Sequence, residues 1–264
     1  MPPALDTVCS AGTAIGATLA ATTIYPGDSF TVKNAPLNSD VFLLQAWADN
    51  QVAGMMRIRS PKLHDNVDGI RSRVLIGVLE PLLPWGVPQR LYPQDTEIVE
   101  LAGSAVAGDI ETVCQLIYYS DLPGQAARLI NADTLKQRLR NVVTARLAIT
   151  IGSTAAYNGA KAINADADLL KANTDYAVLG MTCDAETAAI CLRGPDTGNL
   201  RVSVPGEPGL WHVNCHWFRR LSIAYGLALI PIINSANKGG TLVDVAGDEN
   251  AGTCNVTIWL GELA

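Results

Sequence analysis

The sequence predicts an all-β protein built as two tandem eight-stranded jelly rolls (β-sandwiches). A short helical linker joins them, and the second unit carries a short helix of its own. Three observations lead there. One long passage is written twice, the apolar runs are strand-length, and only two segments show helical spacing.

The duplication is clearest in "DVFLLQAWADNQVAGMMRIRSP" (40–61) and "DYAVLGMTCDAETAAICLRGP" (175–195), at an offset of 135 residues. Each runs from an Asp through an apolar stretch to a second Asp. Each then turns into another apolar run with an Arg near a Pro. Further on, "EIVELAG" (97–103) matches "TLVDVAG" (241–247), Pro93 matches Pro231, and the closing "YYSDL" matches "WLGEL". The offset drifts to 144 and returns to 141, as loops of changing length would make it. The block order is the same in both halves, so we read residues 1–123 as the first jelly roll, 124–147 as a helical linker and 148–264 as the second jelly roll.

Runs rich in Val, Ile, Thr and aromatics, bounded by Gly, Pro, Asn and Asp, mark the strands. In the first unit they are 41–48, 55–59, 97–101 and 113–119; in the second, 176–182, 188–193, 200–204, 242–245 and 254–260. Asp133 can cap a linker helix with Leu135, Leu139, Val142 and Val143 on one face and Lys136, Arg138, Arg140 and Arg146 on the other. Two excursions, 75–90 and 206–229, occupy the same slot in the two units. In the second, Trp217, Phe218, Leu221 and Tyr225 recur at helix spacing, which predicts a short amphipathic helix over 215–227. Gly239–Gly240 reads as a hairpin turn.

Of the 264 residues, 48% are hydrophobic and 17% charged. That supplies an ample core and suggests a surface partly covered by neighbouring subunits. Net charge is −6, with 14 acids against 8 bases up to Asp133 and 11 of each beyond. No basic patch of the kind a sequence-specific nucleic-acid binder carries is visible. Residues 9–25 lack the basic flank of a secretion signal and are too weakly apolar for a membrane span. The six cysteines have no CxxC spacing and read as mostly buried thiols of a protein made in a reducing compartment.

Chemistry is sparse. In "WHVNCHW", His212, Cys215 and His216 are soft-metal ligand types, and Cys215 beside two His invites a Cys–His nucleophile reading. Only His64, in the other half, could add a further imidazole. Packing or interface roles for these three side chains are the favoured reading. No catalytic, cofactor or metal residues are therefore assigned, and no cofactor is expected. The loop 60–73 balances Lys62, Arg71 and Arg73 against Asp65 and Asp68. Trp47 and Trp259 sit in strand patterns and read as core, whereas Trp85 and Trp211 read as inter-subunit contacts.

A tandem pair of jelly rolls joined by a short linker resembles the double jelly-roll major capsid proteins of tailless icosahedral dsDNA viruses, the lineage of adenovirus hexon, tectiviruses and corticoviruses. "GNLRVSVPG", the Trp-rich excursion, "LIPIINSANKGGTLVDV" and the closing "VTIWLGEL" carry the resemblance, which spans nearly the whole chain. It implies a non-enzymatic structural protein that forms homotrimers of pseudo-hexameric outline and tiles a virion shell, as bacteriophage members do. Its partners would be itself and neighbouring capsomers, with minor capsid proteins and an internal membrane beneath. Lys136, Arg138, Arg140 and Arg146, or the N-terminal segment, would then face that membrane or the genome; a solvated helix face is the plainer reading. A tandem carbohydrate-binding or adhesion protein, and a metal-dependent jelly-roll enzyme, are the alternatives.

Overall fold

The computed structural model describes residues 2–36, 38–63, 67–76, 82–125, 127–247 and 252–264. His64, Asp65, Asp248 and residues 77–81 of the first excursion lie outside them. The described chain is mostly antiparallel β-structure in four sheets.

The first half contributes β1 (Ala4–Thr13), β2 (Ala20–Ala21), β3 (Thr23–Ile24), β4 (Val41–Asp49), β5 (Gly54–Arg59), β6 (Ile70–Val74), β7 (Gln89–Leu91), β8 (Ile98–Ala102) and β9 (Ile110–Tyr119). After β10 (Leu129–Ile130) and α1 (Ala132–Arg138) come β11 (Leu139–Ile151), β12 (Tyr157–Ala162), β13 (Asp175–Thr182), β14 (Thr187–Arg193) and β15 (Val202–Gly206). Two helices, α2 (Trp211–Asn214) and α3 (Trp217–Tyr225), precede β16 (Ile230–Asn234), β17 (Leu242–Ala246) and β18 (Gly252–Leu263).

The sheets are β3-β1-β9-β4-β7 and β2-β8-β5-β6 in the first half, β10-β16-β13-β18-β11 and β12-β17-β14-β15 in the second. Setting aside β3 and β10, strands one to eight of each half follow the same two orders, 1-8-3-6 and 2-7-4-5. The repeated passages fall on equivalent hairpins, β4–β5 and β13–β14. Cross-strand register corrects two of the sequence pairings. Leu91 lies opposite Val41 as Ile233 lies opposite Tyr176, so Pro231 is four residues out of step with Pro93. Likewise Tyr119 matches Glu262, two residues from the pairing of "YYSDL" with "WLGEL". Both slips are even, and a shift of two residues leaves every side chain on its own face, so alternation alone cannot detect it.

The linker is also corrected. α1 is seven residues, capped by Asn131, whose side chain accepts from Thr134 N at 2.8 Å. From Leu139 the chain is strand: Ala145, Leu147, Ile149 and Ile151 are buried while Arg146, Ala148 and Thr150 are exposed. Leu135, Leu139, Val142 and Val143 mimic a helical face, but the alternation of the following residues and twelve register pairs with β18 decide for β. The end of the expected loop, residues 70–73, instead lies in β6, where Arg71 and Arg73 hold the solvent face. Gly239–Gly240 close no hairpin, because β16 and β17 belong to different sheets. A 3-10 turn at Ser235–Asn237, capped by Asn234, makes that crossover.

The sheet containing β9 is buried on both faces. Val41, Leu43, Val113, Ile117 and Tyr119 point into the first sandwich. Leu44, Trp47, Cys114, Leu116 and Tyr118 join a core shared with Ala188, Cys191, Val202 and Val204 of the second. All ten residues of β9 are therefore buried, Glu111, Thr112 and Gln115 among them. The N-terminal segment is likewise no free arm, since β1 pairs with β9 along ten residues. No helix among the described residues is long and apolar enough to cross a membrane.

Candidate functional site

The helical insert of the second half gathers the densest chemistry. It begins with Glu207, whose side chain accepts from Gly209 N at 2.8 Å, and ends at Gly226 in the left-handed conformation with φ 68°. Trp217, Phe218 and Leu221 are buried against the sheet, and Tyr225 is half-buried, as the helical spacing predicts. Gly180 on β13 makes the close approach possible: a Cβ there would lie 1.9 Å from the Asn214 carbonyl oxygen. Ser222 ties α3 to its surroundings, accepting from Ala132 N at 2.9 Å and donating to Leu227 O at 2.6 Å.

Of the three side chains singled out in the sequence, two meet. Cys215 Sγ lies 3.1 Å from His216 Nδ1, whereas His212 reaches Cys215 only through its carbonyl, at 3.8 Å. The His212 ring packs edge-on to Trp211 instead. Burial pushes the Cys215 thiol up. Burial, then the positive charges of Arg220 and Arg219, push His216 below the usual imidazole range. Both groups are thus held neutral, the opposite of the thiolate–imidazolium state an activated cysteine needs. Among the described residues no three His, Cys, Asp or Glu side chains converge as a metal site would require.

Cys215 and His216 open onto a cavity of about 450 Å³, lined otherwise by Leu135, Lys136, Leu139, Leu179, Arg219 and Trp259. It lies between α1, the helical insert and the outer face of the sheet containing β13 and β18. Trp259, expected in the core, faces outward here and is half-buried, because its neighbours Ile258 and Leu260 take the inward positions of β18. Its indole N–H donates to Thr182 Oγ1 at 3.3 Å. Trp211 is 60% exposed and Trp85 is 36% exposed, with the Arg220 guanidinium 4.9 Å above the Trp85 ring.

A second concentration of charge lies between the sandwiches. Asp28 accepts from Cys9 N at 2.8 Å and from Tyr157 OH, across the junction, at 2.6 Å. Arg201 stands 3.7 Å from Asp28, 3.5 Å from Asp244 and 3.7 Å over the Tyr157 ring. Burial raises the Asp28 carboxyl to about 6. Tyr25 OH donates to Gly247 O at 2.8 Å, Trp47 Nε1 to Ala188 O at 2.8 Å, and Thr7 and Ser203 share a 2.7 Å hydrogen bond. These polar contacts fasten the two halves.

The basic linker residues separate in the fold. Lys136 pairs with Asp133, Arg138 donates to Ala264 O, and Arg140 and Arg146 are exposed on β11. Sequence reasoning missed Arg219, Leu179 and Trp259 as companions of Cys215, and Asp28 with Arg201 as a pair. The only local signal was "HWFRRL", where two arginines interrupt an amphipathic helix.

No protein-family model and no curated protein matches the chain. Among solved structures, the PBSX exported protein XepA is similar over 96% of this chain and 86% of its own, at 12% identity and TM-score 0.20. A chain of Sulfolobus Turreted Icosahedral Virus is similar over 100% and 82%, at 10% identity and TM-score 0.22. At such values the architecture rests on the strand order described above.

Proposed function

We propose that the chain is a structural shell subunit made of two jelly rolls, which trimerises into pseudo-hexameric capsomers of an icosahedral virion. The observation that carries this reading is the strand order, 1-8-3-6 over 2-7-4-5, appearing twice in one chain. Two similar sandwiches fixed together by a buried junction give each subunit two similar lattice corners, and three subunits give six. The second sandwich offers flanks for neighbours, with Leu139, Val142, Leu169, Trp211 and Ile223 all exposed. The neutral Cys215–His216 pair favours a non-catalytic protein. On this reading the protein resides in the virion, and its partners are its own copies, neighbouring capsomers, minor capsid proteins and an underlying membrane.

Light scattering on purified protein, with electron microscopy of the same fractions, tests the proposal. A stable trimer of six-cornered outline is the expected result. A monomer over a wide concentration range overturns it, and glycan binding through the exposed Trp211 then becomes the reading to pursue.

A further inference from the structure

The cavity beside Cys215 combines an apolar wall with a positive rim. Leu135, Leu139, Leu179 and Trp259 supply the wall, and Lys136 and Arg219 the rim; no carboxylate lines it among the described residues. Arg57, Arg59, Arg128, Arg193 and Arg201 each stand within 4.0 Å of an Asp or Glu. Arg219, only partly exposed, has no such partner among the described residues. A half-buried guanidinium without a counter-charge is an electrostatic vacancy for an anion.

We propose that this cavity binds a single-chain anionic amphiphile, a medium-chain fatty-acid anion, with its alkyl chain on Leu135, Leu139, Leu179 and Trp259 and its carboxylate between Lys136 and Arg219. The volume of about 450 Å³ falls in the range of small-ligand sites, about 300–1,000 Å³. Leu139 is 39% exposed and Trp259 half-buried, so a chain laid there removes apolar surface that the fold leaves in water. The fork of Arg219 suits a carboxylate, and Lys136 adds a second, mobile charge. His216, its basicity depressed first by burial and then by the charges of Arg220 and Arg219, lies in the same positive surroundings. Cys215 and His216, both neutral, add polar contacts without charge.

Decanoate, titrated below its micelle concentration into the full-length protein by calorimetry, tests the site, with decan-1-ol and decyltrimethylammonium as neutral and cationic counterparts. The expected result is one decanoate per chain, bound at least tenfold more tightly than either counterpart. Arg219→Gln weakens decanoate at least tenfold and leaves decan-1-ol unchanged. Lys136→Gln, which gives up only the exposed ion pair to Asp133, weakens decanoate by a smaller factor. Bound decanoate also raises the His216 pKa, followed by NMR of its ring protons, which a purely structural Arg219 would not produce. Three results would each overturn the proposal: no saturable decanoate binding, equal affinity for decanoate and decan-1-ol, or a cavity closed to decanoate because a second copy of the chain fills it.

Discussion

Arg193 Nε lies 2.9 Å from Asp244 Oδ2 across β14 and β17, at the position where Arg59 Nε meets Glu100 Oε2 at 3.0 Å across β5 and β8. The match is one of register: Arg193 is paired with Leu242 as Arg59 is with Ile98, two residues before each acid. The duplicated sandwich has thus kept an ion pair as well as a strand order. The surroundings have diverged, since Arg57 donates two further hydrogen bonds to Glu100 and Arg201 stands by Asp244.

Removing the acid of each pair should separate the two copies energetically. Arg57, through its hydrogen bonds, holds Glu100 down at about 2. A lowered carboxyl contributes stability above its unfolded value of about 4.3, lost as pH falls towards 2. Glu100→Gln should cost about 1–3 kcal/mol at pH 7 and nothing at the acid limit, read by urea denaturation. Asp244→Asn, which leaves Arg193 and Arg201 facing each other at a site with the acid 2% exposed, should cost more, about 3–5 kcal/mol.

Glu97 carries the opposite dependence. Burial pushes its carboxyl up to about 8, against a hydrogen bond from Gln115. A raised carboxyl stays protonated in the fold, so its stability is full below the unfolded value and declines as pH rises through about 8. Glu97→Gln removes the ionisation and offers a donor to Gln115 Oε1, which has none among the described residues. Wild type and variant should match near pH 4, and the variant should be more stable by about 3–5 kcal/mol at pH 9.

The junction between the sandwiches should weaken as pH rises through about 6, where buried Asp28 ionises. Arg201→Met leaves Asp28 and Asp244 without their shared cation. Its cost should be about 3–5 kcal/mol at pH 7.5 and visibly smaller at pH 5, where Asp28 keeps its proton. A loss independent of pH between those values would show that Arg201 acts by packing alone.

Trp47 should be the principal apolar fastener. It is fully buried, donates to Ala188 O, and stacks edge-on at 6.0 Å with Trp217, which in turn meets Trp85 at 5.2 Å. Trp47→Ala should cost about 3–5 kcal/mol. Trp47→Phe keeps most of the apolar area, and its smaller loss, measured by thermal unfolding, isolates the indole hydrogen bond.

Gly180 is the backbone counterpart of that fastening. Gly180→Ala drives a Cβ into the Asn214 carbonyl, so α2 and α3 must lift from the sheet. Reduced near-ultraviolet dichroism from Trp217 with an intact far-ultraviolet β signal is the expected result.

Much of this was legible in the amino acids. The repeat placed the equivalent hairpins, and helix spacing placed Trp217, Phe218 and Leu221 on a buried face. The thiols read as free, and all six are. The linker was misread because four apolar residues satisfy a helical period by coincidence while the strand's alternation continues for longer. Trp259 was misread because the sequence says that β18 alternates but not which of its faces meets the core.

Taken alone, the sequence determined the class of structure, the order of its blocks and the doubling of the sandwich, because strand periodicity and turn residues act over a few neighbouring positions. Tertiary structure decided how the two copies are joined. It buried β9 on both faces, set Asp28 against Arg201 across the junction, and brought Lys136, Arg219 and Trp259 around one cavity. Those partners are separated by dozens to more than a hundred residues, and their meeting depends on register and packing between sheets, which leave no periodic trace along the chain.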